Sequence, residues 1–258
     1  MTDWNAARYH EISSPQQAWG RRVLDRLPLA GHETVLDIGC GTGRLTEEIA
    51  RRVPAGRVVG VDRSPAMLAT AAAWLRERAP RTGVVQADGA ALPFRSAFDA
   101  VFSGATFHWI HDHGALFRSI VTALRPGGRL VAQCGGGPNL ATLYGRADRL
   151  RREPRFAGFF DDWSEPTYFA DVDTTKRRLE AAGFADVEVS LEGAPTTFDG
   201  PEPFQEFIAD VCVRHDVARL PSSERRAFLR ELTVAAAGDS PPFTLDYWRL
   251  NIAGRRPA

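Results

Sequence analysis

Three carboxylates lie near the ends of three successive apolar segments in about the first third of the chain. Asp37 lies near the end of the first segment, Asp62 ends the second, and Asp88 follows the third. If these segments are parallel strands of one sheet, their carboxyl ends share an edge, and the three side chains lie along it. A row of carboxylates attracts a cationic ligand and accepts hydrogen bonds from its hydroxyl and amine groups, whereas it repels a diphosphate.

A glycine-rich loop lies between the first segment and the helix predicted to follow it. Its sequence is Gly39-Cys40-Gly41-Thr42-Gly43. Such a loop presents backbone N–H groups and the positive end of a helix dipole to a ligand. The glycines and Asp62 alone would also suit a dinucleotide. Asp37, however, lies just before the first glycine, where it would repel phosphates. The combination therefore favours a ligand with an ammonium group and a neighbouring sulfonium.

Histidines and a tryptophan follow the fourth apolar segment. His108 is a candidate general base or orienting group, and Trp109 is a candidate wall beside a second substrate. The alternatives are that His108 caps a loop and that Trp109 belongs to the core. The spacing of His108, His111 and His113 matches no standard metal site, so no metal is expected.

The elements that must position these residues alternate along the chain. Strands separated by helical stretches form βαβ units with right-handed crossovers. The predicted fold is therefore α/β, with a doubly wound, mainly parallel sheet covered by helices on both faces. The strands are predicted at 35–38, 57–62, 83–87, 98–103 and 129–134, with later ones near 187–191 and 243–252.

Composition restricts the class of protein further. The chain has 258 residues with 32 basic and 32 acidic side chains, so it lacks the positive field that a nucleic-acid surface needs. Cys40, Cys134 and Cys212 are odd in number and far apart, which fits a reducing compartment. The N-terminus lacks the features of a signal peptide, and no apolar run is long enough to span a membrane. We expect a cytoplasmic protein with neither a membrane nor a nucleic-acid partner.

The residues 35–43, Val-Leu-Asp-Ile-Gly-Cys-Gly-Thr-Gly, resemble the first motif of class I S-adenosylmethionine-dependent methyltransferases. Asp62, Asp88, the segment 98–103 and the run Leu-Arg-Pro-Gly-Gly at 124–128 are similar to later motifs of that family, in the same order. The resemblance covers about the first half of the chain. It implies a Rossmann-like sheet of seven strands with the last one antiparallel, a small helical cap, and S-adenosylmethionine as the cofactor, with S-adenosylhomocysteine as its product.

The same resemblance implies a role for each matched residue. Asp37 and Gly39 hold the methionine part of the cofactor, Asp62 holds the ribose, and Asp88 with Gly89 holds the adenine. The other cofactor-binding residues that it implies are Arg63 and Met67 beside the base, together with Cys40, Gly41, Ala90, Ser103 and His108.

A finer resemblance connects the chain with the trans-aconitate methyltransferases. Malonyl-carrier-protein methyltransferases and the broad small-molecule group, type 11, are near relatives. In that family the N-terminal helix closes over the cofactor, which implies contacts from Tyr9 and Trp19. The residues that carry the resemblance are Asp3-Trp4-Asn5, Tyr9, Val23-Leu24, Trp109 and Asp112-His113.

The chain departs from that family at two places. The arginine-rich start of the N-terminal helix is replaced by residues 13–19, Ser-Ser-Pro-Gln-Gln-Ala-Trp. His108 stands where the trans-aconitate enzymes have glutamine. The loss of the arginines argues against a small polyanionic acid as the methyl acceptor.

The predicted organisation has four parts. The aromatic residues of the predicted cap favour a partly apolar acceptor with Trp163 as a contact. They would serve equally well as the core of the cap itself. The parts are an N-terminal helical lid at 1–30, the cofactor-binding core at 31–135, an inserted cap at 136–185, and the rest of the sheet at 186–258 with a helical insertion at about 200–238.

The predicted function is the transfer of a methyl group to a small-molecule acceptor, with a carboxylate or hydroxyl oxygen as the favoured target. Transfer to nitrogen or carbon, and cofactor binding without turnover, are the alternatives. An RNA or protein methyltransferase would need a basic strip or a motif such as Asn-Pro-Pro-Tyr, and the sequence has neither. We expect a monomer or a homodimer.

Overall fold

The computed structural model describes residues 14–258, with side chains from Trp19 onwards. Strands make up its central layer. In chain order they are β1 (Thr34–Ile38), β2 (Arg57–Asp62), β3 (Thr82–Gln86), β4 (Phe98–Gly104), β5 (Leu124–Gly135), β6 (Ala185–Gly193), β7 (Thr196–Thr197), β8 (Thr244–Leu245) and β9 (Trp248–Arg255).

Seven of the strands form one sheet in the order β3-β2-β1-β4-β5-β9-β6, while β7 and β8 form a separate ribbon. The strands β1 to β5 are parallel to one another. The strand β9 is antiparallel to β5, with Gly135 opposite Arg249. The prediction of a mainly parallel sheet of seven strands with an antiparallel last strand is confirmed. The carboxyl ends of β1 to β5 therefore share one edge with the start of β9.

Short polar side chains cap the start of several helices. Ser64 accepts a hydrogen bond from the amide of Met67 over 3.1 Å, and Asp112 accepts one from the amide of Ala115 over 2.8 Å. Such caps satisfy backbone donors that have no partner within the helix. The helices are α1 (Ser14–Leu24), α2 (Arg44–Arg52), α3 (Pro65–Arg78), α4 (His113–Ala123), α5 (Ala141–Arg151), α6 (Val172–Ala181), α7 (Pro201–Phe207), α8 (Arg214–Arg219) and α9 (Ser222–Ala237).

Alternate residues of β1 face opposite sides of the sheet, and both sides are buried. Leu36 and Ile38 belong to an apolar core shared with α4, α6, β5 and β9, whereas Val35 belongs to a second core shared with α1 and α2. A parallel sheet covered on both faces has nearly continuous apolar strands. These strands could therefore be predicted from apolar runs in the sequence. The alternation also places Asp37 on the side of β1 that faces α2.

Contacts divide the described residues into two compact units. The first unit comprises residues 14–137, 167–192 and 249–258 and contains the large sheet with α1 to α4 and α6. The second comprises 138–166 and 193–248. The helix α6, which falls within the predicted cap at 136–185, belongs to the first unit, and so does most of β6, an edge strand of the large sheet. The predicted organisation in four parts stays a prediction.

The second unit has an aromatic core and a buried ion pair. The rings of Phe156 and Phe228 meet edge to face at 5.4 Å. Arg151 donates to Asp216 over 2.7 Å, and both residues are buried. Burial raises the pKa of Asp216 to about 6 despite this hydrogen bond.

Two elements predicted near the end of the chain have other bounds in the structure. The last strand begins at Trp248, because the carboxylate of Asp246 accepts hydrogen bonds from the amide and hydroxyl of Thr142 and turns the chain between β8 and β9. The helical stretch predicted before it is broken after α8 by Pro221, which has no N–H to continue the helix. A π-helical segment, Ile208–Cys212, lies between α7 and α8.

None of the helices in the described part of the chain combines the length and the apolar character needed to cross a bilayer.

Candidate active site

The glycine loop, residues 39–43, begins at the end of β1 and is held against β2. The amides of Gly39 and Cys40 both donate to the carbonyl oxygen of Val61, over 2.7 and 3.0 Å. Gly39, Gly41 and Gly43 have φ angles of 74, 52 and 85°. Left-handed backbone costs other residues about 1–2 kcal/mol each. The three glycines therefore let the chain turn sharply from β1 into α2.

Two of these glycines are needed for different reasons. A Cβ atom on Gly39 would overlap the side chain of Thr106, which lies just after β4. A Cβ atom on Gly41 would meet no heavy atom of the described residues within 4 Å. The backbone of Gly41 is therefore accessible at the point where a ligand approaches a glycine loop closely.

Asp62 ends β2 and joins the glycine loop to the start of α3. Its Oδ2 accepts from the amide of Gly41 over 3.0 Å, and its Oδ1 accepts from the amide of Ser64 over 2.9 Å. Both oxygens of the carboxylate are thus held by backbone amides of two different segments. The backbone thus fixes this carboxylate in place, as a ribose-binding group requires.

Asp37 is buried beneath the glycine loop. Its Oδ2 accepts from the hydroxyl of Thr46 in α2 over 2.7 Å, a partner that the sequence analysis did not identify. Burial raises the pKa of Asp37 to about 7; the Thr46 hydrogen bond opposes this rise, and the charge of Asp62 adds to it. The group therefore titrates near neutral pH, and a ligand ammonium group would favour its charged form.

A short 3-10 turn after β3 holds the next group of predicted residues, Asp88, Gly89 and Ala90. Oδ1 of Asp88 accepts from the amide of Ala90 over 2.9 Å, and a guanidinium nitrogen of Arg63 lies 3.9 Å from its Oδ2. Met67 is buried in the first turn of α3. The structure thus brings these five residues to the sheet edge beside the end of β2, and their contact with an adenine stays a prediction.

The side chains of Ser103 and Cys40 point into the protein. The hydroxyl of Ser103 is buried and donates to the carbonyl oxygen of Ile38 over 2.7 Å. The thiol of Cys40 lies against Gly60, and burial raises its pKa well above the usual value. These side chains therefore join strands and loop, and contact with a cofactor from their backbones stays a prediction.

His108 lies in a 3-10 turn after β4, with its ring between two aromatic residues. The ring centroids of Trp109 and Phe169 are 5.2 and 5.8 Å from that of His108. The amide of Gly135, at the end of β5, donates to Nδ1 of His108 over 3.3 Å. Because an amide N–H can only donate, Nδ1 is the acceptor and the proton of the neutral ring is on Nε2.

The charge state of His108 follows from its surroundings. Burial lowers its pKa to about 3, and the positive charge of Arg249 contributes to this shift. The imidazole is therefore neutral at physiological pH, with one nitrogen already accepting a hydrogen bond and the other already protonated. Such a group is a hydrogen-bond donor through Nε2, and it is poorly suited to removing a proton from an acceptor.

Arg249, at the start of β9, is a further residue of this region that the sequence analysis missed. It is only 4% exposed, and its guanidinium carbon lies 3.7 Å from the ring centre of Trp19 in α1. The available signal was that Arg249 is the one basic residue in the strand predicted at 243–252. The structure places Trp19 on Arg249, and the predicted contact of Trp19 with the cofactor stays a prediction.

Two predicted residues lie elsewhere. Tyr9 lies outside the described residues. Trp163 belongs to the second unit, where the guanidinium carbons of Arg151 and Arg219 lie 4.7 and 5.5 Å from its ring centre. Trp163 is thus held by arginines of its own unit, and its contact with a substrate stays a prediction.

The three histidines after β4 do not converge. His113 is buried, with its Nε2 2.9 Å from the carbonyl oxygen of Phe107, whereas His111 is exposed. Among the described residues, no group of three or more His, Cys, Asp or Glu side chains is arranged to hold a metal ion.

The strand order, the antiparallel last strand, the glycine loop after β1 and the carboxylates at the ends of the parallel strands define a class I methyltransferase. Residues 35–128 match the family model described as a methyltransferase domain. Over 273 residues the chain is 30% identical to trans-aconitate 2-methyltransferase of Methylobacterium nodulans, which covers 99% of both chains. The chain belongs to the S-adenosylmethionine-dependent methyltransferase family that includes these enzymes.

Solved structures share the fold. A putative methyltransferase from Bacillus halodurans superposes with a TM-score of 0.65 at 18% identity, covering 92% of this chain and 98% of that one. Phosphoethanolamine N-methyltransferase 2 of Haemonchus contortus, in complex with S-adenosyl-L-methionine, has a TM-score of 0.61 at 22% identity, covering 93% of this chain and 53% of that one.

The cofactor is S-adenosylmethionine, and the residues at the sheet edge fit it. The backbone of Gly41 and the fixed carboxylate of Asp62 suit a ribose-linked ligand. Asp37 and Asp62 together give this site a negative potential, which is appropriate for a ligand with ammonium and sulfonium groups. The protein is thus an S-adenosylmethionine-dependent methyltransferase that acts on a small molecule.

Proposed function

We propose that this methyltransferase transfers the methyl group of S-adenosylmethionine to a carboxylate oxygen of a small organic acid, forming a methyl ester. The observation that carries the proposal is the hydrogen bond from the amide of Gly135 to Nδ1 of His108. It leaves His108 without a basic nitrogen. A carboxylate acceptor is ionised at neutral pH and needs no base, whereas an alcohol or phenol benefits from one.

Methyl transfer requires little of the protein beyond positioning the acceptor relative to the cofactor. When bound, S-adenosylmethionine supplies an electrophilic methyl group on a sulfonium. The chain's residues then align the acceptor oxygen in line with that group and exclude water. We assign the acceptor-facing donor to Nε2–H of His108 and the wall beside the acceptor to Trp109, with Trp163 as a further contact from the second unit.

We assign the cofactor contacts as the sequence predicted them. Asp62 accepts from the ribose hydroxyls, Asp37 and Gly39 hold the methionine part, and Asp88 with Gly89 holds the adenine. The remaining cofactor contacts in this assignment are Tyr9, Trp19, Cys40, Gly41, Arg63, Met67, Ala90, Ser103 and His108.

The acid is expected to carry fewer charges than trans-aconitate, the substrate in the name of the similar enzymes. The basis is the absence of arginines from residues 13–19. An acid with one carboxylate and an apolar part is the substrate class that we favour.

We also infer a cytoplasmic protein that acts without a nucleic-acid or membrane partner, as a monomer or a homodimer. The support for a reducing compartment is that Cys40, Cys134 and Cys212 are all free and buried. The balanced charge supports a small-molecule substrate over nucleic acid.

The test is methyl transfer from labelled S-adenosylmethionine to an acid panel of benzoate, octanoate and trans-aconitate, beside matched alcohols, phenols and amines. We expect label in products that release methanol in alkali, because methyl esters hydrolyse there and methyl ethers and amines do not. Transfer only to nitrogen, carbon or hydroxyl oxygen would overturn the proposal. Asp62→Ala should reduce the signal at limiting S-adenosylmethionine, whereas Asp25→Ala, which changes an exposed surface pair with Arg52, should not.

A further inference from the structure

A cavity of about 200 Å³ lies at the amino ends of β4 and β5, opposite the sheet edge that carries the candidate active site. Its lining comes from the segment before β4, the last turn of α4 and the segment after β9. Because β4 has seven residues, about 20 Å of strand separates the cavity from the carboxyl ends of the strands. The lining residues are Arg95, Ser96, Val121, Thr122 and Arg256.

The guanidinium of Arg256 is held in this lining through one of its nitrogens. Nη1 donates to the hydroxyl of Ser96 over 3.2 Å, to the carbonyl oxygen of Val121 over 3.1 Å, and to that of Leu124. Nε and Nη2 of Arg256 have no hydrogen-bond partner among the residues that the structure describes. The edge formed by Nε and Nη2 presents two parallel N–H groups, and this is the geometry that binds two oxygens of one anion.

Ser96 and Arg95 add donors to the same cavity. The hydroxyl of Ser96 accepts from Arg256, and its own proton has no acceptor within the described part of the chain. The amide of Ser96 donates to the carbonyl oxygen of Thr122 over 2.8 Å, which fixes this residue against α4. Arg95 is exposed, and its guanidinium likewise contacts no acceptor among residues 19–258. Three neighbouring side chains thus offer unused donors to one cavity.

The charge of the cavity is also unbalanced. Its lining includes two arginines and no acidic side chain. The nearby Arg125, by contrast, is neutralised by Asp99 at 2.7 Å. Positive charges that line a concave surface attract an anion. The volume of the cavity is that of only a few water molecules, at about 30 Å³ each, so it suits a small anionic group.

We propose that this cavity is a second ligand site and binds a phosphate group. The Nε–Nη2 edge of Arg256 binds two of the oxygens, and the Ser96 hydroxyl and the Arg95 guanidinium bind the others. These donors outnumber the two oxygens of a carboxylate, whereas a phosphate offers enough acceptors for all of them. The phosphate belongs either to inorganic phosphate or to a monoester whose organic part extends past the exposed Arg95. The proposal is independent of the methyl acceptor.

The experiment is calorimetric titration of the full-length protein with inorganic phosphate, glycerol 3-phosphate and acetate at constant ionic strength. It compares the wild type with Arg95→Gln and Arg256→Lys. The lysine can still donate to the carbonyls of Val121 and Leu124, but it lacks the paired N–H edge. Arg57→Gln is the matched control, because Arg57 is an exposed arginine at the start of β2, on the same edge of the sheet. Thermal unfolding of each variant checks that it is folded.

Wild-type protein should bind inorganic phosphate with a Kd of about 1 mM or below and acetate at least about tenfold more weakly. Arg95→Gln and Arg256→Lys should each weaken phosphate binding about tenfold, as expected for the loss of a charge-assisted hydrogen bond. Arg57→Gln should match the wild type. Tighter binding of glycerol 3-phosphate than of inorganic phosphate would assign the site to a monoester, and equal or weaker binding would assign it to free phosphate.

Four results would overturn the proposal. The first is an unchanged phosphate affinity in Arg256→Lys or, if that variant fails to fold, in Arg95→Gln. The second is an equal loss in Arg57→Gln, which would show a response to net charge alone. The third is the absence of saturable phosphate binding by the wild type. The fourth is competition between phosphate and S-adenosylhomocysteine, which would place the anion at the other edge of the sheet. The acid panel tests the proposed function separately.

Discussion

The amide of Gly41 donates a hydrogen bond of 3.0 Å to Oδ2 of Asp62, and so joins the glycine loop after β1 to the end of β2. Asp62 is also the residue that we assign to the ribose of the cofactor. The loop conformation and the ligand-binding group are therefore coupled, because a change in Asp62 alters the loop as well as the ligand contact. This coupling gives a physical reason why this chain has both a glycine loop after β1 and an acid at the end of β2.

Replacing Asp62 should weaken cofactor binding. We expect Asp62→Ala to lower the affinity for S-adenosylhomocysteine at least about tenfold, since charge-assisted hydrogen bonds contribute about 1.5–3 kcal/mol each. Asp62→Asn should cost less, because the amide oxygen still accepts from Gly41. Calorimetric titration measures both, with Asp25→Ala as the control, and an unchanged affinity in Asp62→Ala would contradict the assignment.

Asp37 should make stability depend on pH. Its pKa is about 7 in the folded protein and about 3.9 in an unfolded chain. Between these values the folded state holds a proton that the unfolded state has lost, so stability falls as the pH rises from about 4 to 7. The fall is up to about 4 kcal/mol. Asp37→Asn should remove this dependence.

Urea unfolding between pH 5 and 8 measures the effect of Asp37. The difference in midpoint between Asp37→Asn and the wild type should grow in favour of the variant as the pH rises. Asp186→Asn is the control, because this carboxylate is exposed. Parallel pH profiles for Asp37→Asn and the wild type would show that Asp37 does not titrate in this range.

Much of the fold was predictable because the signals are local. The strands β1 and β2 are buried on both faces and appear as apolar runs, and Asp62 ends its run where a ligand-binding acid is expected. The side chain of Ser103 was not predictable in the same way. A strand covered on both faces gives no alternation that distinguishes a residue facing a neighbouring strand from one facing a ligand.

Arg249 could not be identified from the sequence, because its importance comes from the order of strands in the sheet. It is opposite Gly135 only because β9 inserts beside β5, and its contact with Trp19 depends on where α1 lies. The buried partner of Asp37, Thr46, is missed for the same reason. Motif residues close together in sequence were found, whereas residues brought together by the fold were not.

Gly39 and Gly41 should respond differently to alanine. Gly39→Ala places a Cβ atom into Thr106, so we expect a loss of at least about 2 kcal/mol in stability. Gly41→Ala meets no atom in the part of the chain that the structure describes, and it should cost about 1–2 kcal/mol because of its backbone conformation. Its larger effect should be on the affinity for S-adenosylhomocysteine, because the methyl group occupies the side from which a ligand approaches.

Thermal unfolding and calorimetry on the two alanine variants separate these effects. Gly83→Ala is a control, since a Cβ atom there also meets none of the described atoms within 4 Å, and Gly83 lies in β3, away from the loop. If Gly41→Ala binds S-adenosylhomocysteine as tightly as Gly83→Ala, the backbone of Gly41 does not face the cofactor.

His108→Gln should retain activity, because glutamine reproduces what the neutral imidazole offers. Its amide oxygen can accept from Gly135 and its NH₂ group can donate as Nε2–H does. We expect kcat/KM within about threefold of the wild type, a change smaller than the loss of one hydrogen bond. His108→Leu, which has neither group, should lose about tenfold or more. Loss of a general base would instead cost both variants about 10²–10⁴-fold.

The acid stability of His108→Gln provides a second readout that does not depend on the acceptor. The pKa of His108 is about 3 in the folded protein and about 6.5 when unfolded. Between these values only the unfolded state binds a proton, so the folded protein loses stability as the pH falls from about 6.5 to 3. His108→Gln removes this loss, and its acid-unfolding midpoint should shift to lower pH. His111→Gln, at an exposed position, should leave the midpoint unchanged. If His108→Gln and His111→Gln have the same acid-unfolding midpoint, His108 is not held neutral in the folded protein. The argument that His108 does not act as a base would then fail.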